Sequence, residues 1–471
     1  MNSFDPPTEH LQLIVNLFNN GKLDQALTES KTLLEKFPNS VFLHNIAGAS
    51  NTGLKQFDNA IKSYKKAIKI NPDFAEAYYN MAIAQKVIGE FEEAIKSYKK
   101  ALKIKPNYFE AHYNLGNILS EKGDKKAAID SYEFALQIKP GSAMVYNNMG
   151  NILKDSNGDF KEALDSYKKA LEIEPEYFEA QQNLISLMTC FIPQEDDTNR
   201  ILKVNKKIRE IKVKDIISKT ISDDEVINLF SESERYLNDF DLQLKTKEDQ
   251  VFRGNSMNCE RHLSIFDEHN VIPEYCFGCY KVQVEPRSII ELIKLFIIFD
   301  QLKLNENNTR KCMIELRPEI SGFYKGLIYC SSLKQANKIS KYLDQIINQS
   351  LSGLSSTVKR GCSEYPISFP NYKEINNFGP QLMNYNKDWK VFEVAHDKIN
   401  PKRANKYRKQ SISGFNLNDI IIIRKWIDYA KGIGDPSVNL LNQRTIHYHE
   451  IYEKAKSRLH KFNFNKITNN L

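Results

Sequence analysis

Four residues near the middle of the chain carry the spacing of a tetrahedral metal site. Cys259 and His262 form a C-x2-H pair, and Cys276 and Cys279 a C-x2-C pair, with thirteen residues between the pairs. Two close pairs bridged by a loop can close four ligands on one ion. Thiolates with one imidazole suit Zn²⁺ better than Ca²⁺ or Mg²⁺, so the spacing predicts a bound zinc. An iron–sulfur centre, with Cys312, Cys330 or Cys362 in place of the histidine, fits the ligand types less well. The same thiols also read as small buried residues of a core, a common use of cysteine. Six of the seven cysteines lie between Cys259 and Cys362. In a reducing compartment such clustering points to metal or redox chemistry rather than disulfides.

A second group of polar residues stands at strand-like segments: Glu315, Arg317, Arg360, Cys362 and Glu364. With Lys281, Gln283, Glu285, Lys325 and either Lys359 or Arg360 it would mark one face of a sheet. That face reads as a ligand platform or as an exposed surface stitched by cross-strand ion pairs. It has no aromatic pair in the pattern that stacks RNA bases. A net charge of +7 over 471 residues is a mild basic bias, which argues against nucleic acid as the partner. No phosphate loop or GxGxxG follows a strand, so no nucleotide cofactor is predicted. No GxSxG elbow, HExxH or kinase signature is present.

The elements that would position these groups alternate. Tyr280, Val282 and Val284 point one way against Lys281, Gln283 and Glu285, which predicts a strand over 278–285. A helix over 287–304, strands over 310–317 and 324–330, a helix over 331–350 and a strand over 357–364 follow. The order strand–helix–strand–strand–helix–strand is the ferredoxin-like split βαβ unit. It predicts a four-stranded antiparallel sheet with both helices on one face. Such a sheet would bring Cys279, Cys312, Cys330 and Cys362 along one edge. This α+β domain, with its Cys/His cluster, is expected over 251–371. A helical linker over 191–250 precedes it, with helices at 201–217 and 225–240. A mostly helical region over 372–471 follows, with helices at 388–397, 416–432 and 445–460.

The segment 1–190 is periodic. Pro38, Pro72, Pro106, Pro140 and Pro175 recur at equal steps, the last of them one residue late. Ala26, Ala60, Ala94, Ala128 and Ala163 keep that step, as do Tyr64, Tyr98, Tyr132 and Tyr167. Gly48, Ala82, Gly116 and Gly150 let a second helix approach the first, and the prolines end each second helix. These registers resemble the tetratricopeptide repeat family over residues 7–177, as five repeats with a partial or capping sixth from Phe178. The resemblance implies an all-α right-handed superhelix whose concave groove takes an extended peptide or a partner helix.

Asn80, Asn114, Asn148 and Asn183 recur at one place on successive first helices, and Asn117 and Asn151 one turn further on. Carboxamides in a row can pair with both the N–H and the C=O of a peptide backbone. The row is similar to the asparagine ladder in the repeat region of protein O-GlcNAc transferases; equally, asparagine is simply frequent at these positions. No run of about 20 apolar residues could cross a bilayer, and no leader segment is evident. The reading is a cytoplasmic adaptor that holds a protein or extended peptide in its repeat groove, without membrane insertion. The alternative is a transferase-like enzyme that modifies the protein its repeats recruit, using Cys362, Glu364, Arg317, Glu315 or a bound metal.

Overall fold

The computed structural model describes residues 5–155, 159–193, 198–213, 220–255, 259–317, 320–362, 365, 368–399, 411–441 and 447–462. Glu364, and parts of the linker and C-terminal region, lie outside them. Contacts divide the chain into two units, 1–177 and 178–471.

The first unit is a succession of helix pairs: α1 (Thr8–Asn19) with α2 (Leu23–Lys36), α3 (Val41–Gly53) with α4 (Phe57–Ile70), α5 (Ala75–Val87) with α6 (Phe91–Ile104), α7 (Phe109–Lys122) with α8 (Lys125–Ile138), and α9 (Ala143–Lys154) with α10 (Phe160–Ile173). Each second helix stops just short of its proline, which has no N–H to continue the ladder. The turn inside a pair needs a left-handed residue. Gly21, Gly89 and Gly123 supply it at φ 72°, 83° and 89°, and Lys55 takes φ 61° at the same place in the second pair. The small residues of the first helices lie under the tyrosines. A Cβ on Gly48, Gly116 or Gly150 would stand 2.5–2.6 Å from a ring carbon of Tyr64, Tyr132 or Tyr167. Those rings are fully buried. Tyr64 also packs on Met81 and Ala84 of the next pair, so one ring joins two repeats.

The second unit begins with α11 (Phe178–Leu187), α12 (Arg200–Glu210) and α13 (Asp223–Asp239). Ser222 and Glu225 form a capping box that starts α13. A sheet follows, of β1 (Gln250–Arg253), β2 (Tyr280–Val284), β3 (Arg310–Ile314), β4 (Tyr324–Cys330) and β5 (Thr357–Arg360). Its order is β1–β3–β4–β2–β5, antiparallel throughout. The sheet has five strands where four were expected. The extra one, β1, is a short edge strand paired with β3, and Gln-Val-Phe-Arg shows too little alternation to signal a strand.

Between strands lie α14 (Cys259–His269), α15 (Glu274–Gly278), α16 (Ile289–Gln301) and α17 (Leu333–Ser350). Gly326 of β4 lets α16 close on the sheet, since a side chain there would run into Leu295 and Phe299. After β5 come α18 (Pro370–Lys373), α19 (Lys390–Ile399), α20 (Leu417–Ile433) and α21 (His449–Lys461). α20 opens with an Asn416–Asp419 capping box and closes at left-handed Gly434. It is buried along nearly its whole length, packed on α12, α16 and β3. The helices expected as a linker and a tail thus pack into the same unit as the sheet.

Charged groups fasten that packing. Arg253, 3% exposed, bonds Asp300 of α16 and, at 2.7 Å, Asp419 of α20. Arg424 of α20 makes a bidentate pair with Glu234 of α13 at 2.5 and 2.6 Å. Asp435 accepts from Tyr324 Oη at 2.6 Å and from the N–H of Ile289 at 2.7 Å. Buried ions of this kind hold only when paired and hydrogen-bonded.

Candidate functional site

The first helices of neighbouring repeats touch, α3 with α5 and α7 with α9. Successive elements crowd on the inner side of a curved stack, so these helices line it. The ladder residues Asn80, Asn114, Asn117, Asn148 and Asn151 sit on them, all half-buried. Asn80 Nδ2 donates to Asn45 Oδ1 at 3.1 Å, Asn114 Nδ2 to Tyr79 Oη at 3.0 Å, and Asn148 Nδ2 to Tyr113 Oη at 3.1 Å. Each bond reaches back one repeat. One turn further on, Asn117 Oδ1 accepts from Tyr132 Oη at 2.6 Å, and Asn151 Oδ1 from Tyr167 Oη at 2.8 Å. Asn148 Nδ2 also donates to Asn117 Oδ1 at 3.1 Å and joins the two rows.

Burial raises the Tyr132 and Tyr98 phenols well above their usual range, and pushes Tyr64 up to about 12. The phenols therefore stay protonated hydrogen-bonding partners. An asparagine side chain has two donors and an acceptor oxygen. The bonds of Asn80 and Asn114 engage one end of each amide and fix the plane in which the rest can pair. Asn183 lies on α11 in the second unit and is half-buried there. Sequence reasoning missed Asn45, Tyr79 and Tyr113. Asn45 stands one position earlier than the repeat step back from Asn80 would place it, which hid it. The two tyrosines directly precede Asn80 and Asn114.

In the second unit the predicted metal residues lie on α14, on α15 and at the start of β2. Cys259 opens α14, and His262 one turn on stacks on Tyr275 with ring centroids 5.2 Å apart. Cys276 and Cys279 are buried at α15 and the start of β2. Cys276 Sγ stands 3.4 Å from Tyr365 Oη, and Tyr372 Oη donates to the Cys276 carbonyl at 2.8 Å. Cys362 packs against the same cluster, and its nearness, with burial, raises the Cys276 thiol far above the usual range. Cys279 is raised by burial, then by Cys362 and Cys259, against a lowering by Lys281. Cys312 stands apart, fully buried in the middle of β3 opposite Val251 and Gly326. The expected edge of four thiols therefore omits it. Among the described residues no three of His, Cys, Asp and Glu converge as placed on one ion position.

The polar candidates divide. Glu315 is wholly buried and accepts from Arg317 Nε at 2.9 Å and Lys325 Nζ at 2.9 Å. Burial pushes its carboxyl up, but Arg317 and Lys325 outweigh that and hold it at about 2. Lys281, Gln283 and Lys325 are buried too, so this side of the sheet is not the open charged surface expected. Arg360 lies at the other end. Its guanidinium sits between the rings of Tyr280 and Tyr372, 4.7 and 5.1 Å from their centroids, and donates to the Phe277 carbonyl at 2.8 Å. Arg360 and Cys362 thus belong with the thiols, and Glu315 and Arg317 with Lys325.

Residues 54–86 and 88–123 match the family model described as TPR repeat, and 109–142 and 143–177 match models described as tetratricopeptide repeat. Residues 54–177 are tetratricopeptide repeats, as the spacing predicted. The chain is similar to the peroxisomal targeting signal receptor of Candida glabrata, 31% identical over 91 residues, covering 19% of this chain and 15% of that protein. It is also similar to the same receptor of Kluyveromyces lactis, 33% identical over 83 residues, covering 18% and 15%. The chain thus spans 15% of the length of these curated relatives. Among solved structures, a crystal structure of MamA is 31% identical and covers 34% of this chain and 94% of that chain, with a TM-score of 0.33. No described helix is long and apolar enough to cross a membrane.

Proposed function

We propose that the repeats are a protein-interaction scaffold that holds an extended peptide backbone along the asparagine row. The observation that carries this is the cross-repeat bonding of Asn80, Asn114 and Asn148, which presents like amides at regular intervals on the inner helices. A regular row of amides suits a regular backbone and asks little of its side chains. The similarity to two targeting signal receptors supports the same reading. The test starts from peptides selected by display on the wild-type protein. Changing Asn80, Asn114 and Asn148 together to Asp removes one amide donor set and adds three charges. Loss of the selected peptides in fluorescence polarisation, with the repeat helicity unchanged, is the expected result. Full retention of affinity would overturn the groove.

For the second unit, the order β5–β2–β4–β3 with α16 and α17 packed on the sheet supports a ferredoxin-like core extended by β1. The C-x2-H and C-x2-C spacing of Cys259, His262, Cys276 and Cys279 is what supports a zinc-stabilised domain. In this reading the second unit adds another contact to the scaffold.

A further inference from the structure

Arginines in this molecule commonly give one edge of the guanidinium, Nε and Nη2, to an acid. Arg261 holds Asp397 this way, Arg317 holds Glu315, and Arg424 holds Glu234. Arg310, the first residue of β3, is 4% exposed, yet that edge is nearly idle. Its Nε has no hydrogen-bond partner among the described residues, and its Nη2 makes only a 3.5 Å contact with Asn307 Oδ1. Nη1 alone is well placed, donating to the Leu302 carbonyl at 2.7 Å. Asp300 lies on the same cleft as Arg310, but it is already engaged. It pairs with Arg253, and both its oxygens accept from the N–H of Gly414. Burial pushes the Arg310 guanidinium down to about 10, and Asp300 does not make up for it. A buried cation with an unmet donor is rare and asks for a partner.

The cleft has a volume of about 750 Å³ and lies where the end of α16, the start of β3 and Tyr342 of α17 meet. That is the size of a small-molecule site. Val213, Leu302, Leu304 and the Tyr342 ring give it apolar walls, and exposed Lys303 brings a second cation. We propose that this cleft binds a small monocarboxylate with an apolar body, its carboxylate accepting from Arg310 and Lys303. A planar guanidinium matches a carboxylate in shape and charge. A dianion such as phosphate suits the place less. The carbonyl end of α16 and the Asp300 carboxylate border the same cleft and repel a second negative charge. The apolar walls take the rest of the ligand. The second unit thereby has a ligand of its own, apart from whatever the repeats hold.

The test titrates the full chain by calorimetry with phenylacetate and hexanoate, and with phenylacetamide and inorganic phosphate as controls. Both acids should bind saturably. Phenylacetamide, which lacks the charge, should bind about tenfold more weakly or worse, and phosphate more weakly than either acid. Arg310→Gln should abolish binding of the acids. Lys303→Glu, an exposed change that leaves the core untouched, should weaken it by about tenfold or more; it decides the matter if Arg310→Gln does not fold. The site is overturned if folded wild type binds neither acid, if the amide binds as tightly as the acid or phosphate more tightly, or if Lys303→Glu or folded Arg310→Gln keeps full affinity.

Discussion

The repeats and the second unit solve the same burial problem by opposite means. In the repeats a tyrosine lies over a glycine or alanine, the pair recurs from one repeat to the next, and few charges are buried. In the second unit the ties between elements are ionic and unrepeated: Arg253 with Asp300 and Asp419, Arg424 with Glu234, and Glu315 with Lys325. Packing of small against large is tolerant and graded. A buried ion pair is all or nothing, because removing one partner strands the other in a medium that cannot solvate it.

The sharpest way to break this contrast is Arg253→Ala, which leaves Asp300 and Asp419 buried with no cation between them. It should cost at the upper end of about 3–5 kcal/mol. Both tryptophans, Trp389 and Trp426, lie in the second unit. Their fluorescence in a urea titration should shift to lower midpoint while the repeat contribution to far-UV circular dichroism does not. A repeat transition that moves equally would mean the two units unfold as one. Next in size is Tyr132→Ala, which empties a ring-sized space over Gly116 and should cost toward the lower end of about 3–5 kcal/mol. Here circular dichroism should move and tryptophan fluorescence should not.

Acid sharpens the contrast further. Glu315 is held at about 2, below its ordinary 4.5. Its folded-state preference for the carboxylate is fully present above pH 4.5 and lost as pH falls from there towards 2. That amounts to a few kcal/mol at most, on the order of 3 at about 1.36 per unit. Glu315→Gln should lower second-unit stability at neutral pH and flatten its decline in acid, read by tryptophan fluorescence at stepped pH. The smallest expected effect is a gain. Lys55 occupies the left-handed position that glycine holds in three other repeats, so Lys55→Gly should stabilise the repeats by about 1 kcal/mol or less. No change in melting temperature would show that the turn adapts around lysine without cost.

The same contrast explains what could be read from the chain. Every repeat contact joins residues within one or two periods, so Pro38 to Pro175 and Tyr64 to Tyr167 announced both helices and packing. The amide row was visible for the same reason, although Asn45, one position out of step, was not. In the second unit β2 and β3 followed from alternation, α16 from its apolar run and the start of α17 from its serine cap. The short β1 carried no such pattern. Nothing near Arg253 in sequence pointed to Asp419, which stands far down the chain in α20. The C-x2-C pair was legible because its residues are neighbours. That Cys362 packs against its cluster depends on strand order, which no spacing rule reports.

The long reach from Arg253 to Asp419 also bears on how the chain is made. Asn114 meets Tyr79 and Asn148 meets Tyr113 one repeat apart, so each repeat can settle as soon as the next has left the ribosome. Arg253 must wait for Asp419. At roughly 5–20 residues per second that delay is on the order of ten seconds, during which the β1–β3 edge has no α20 to close over it. A hydrated arginine in β1 through that interval is a guard against pairing with another nascent chain. The same guanidinium becomes a buried fastening once α20 arrives.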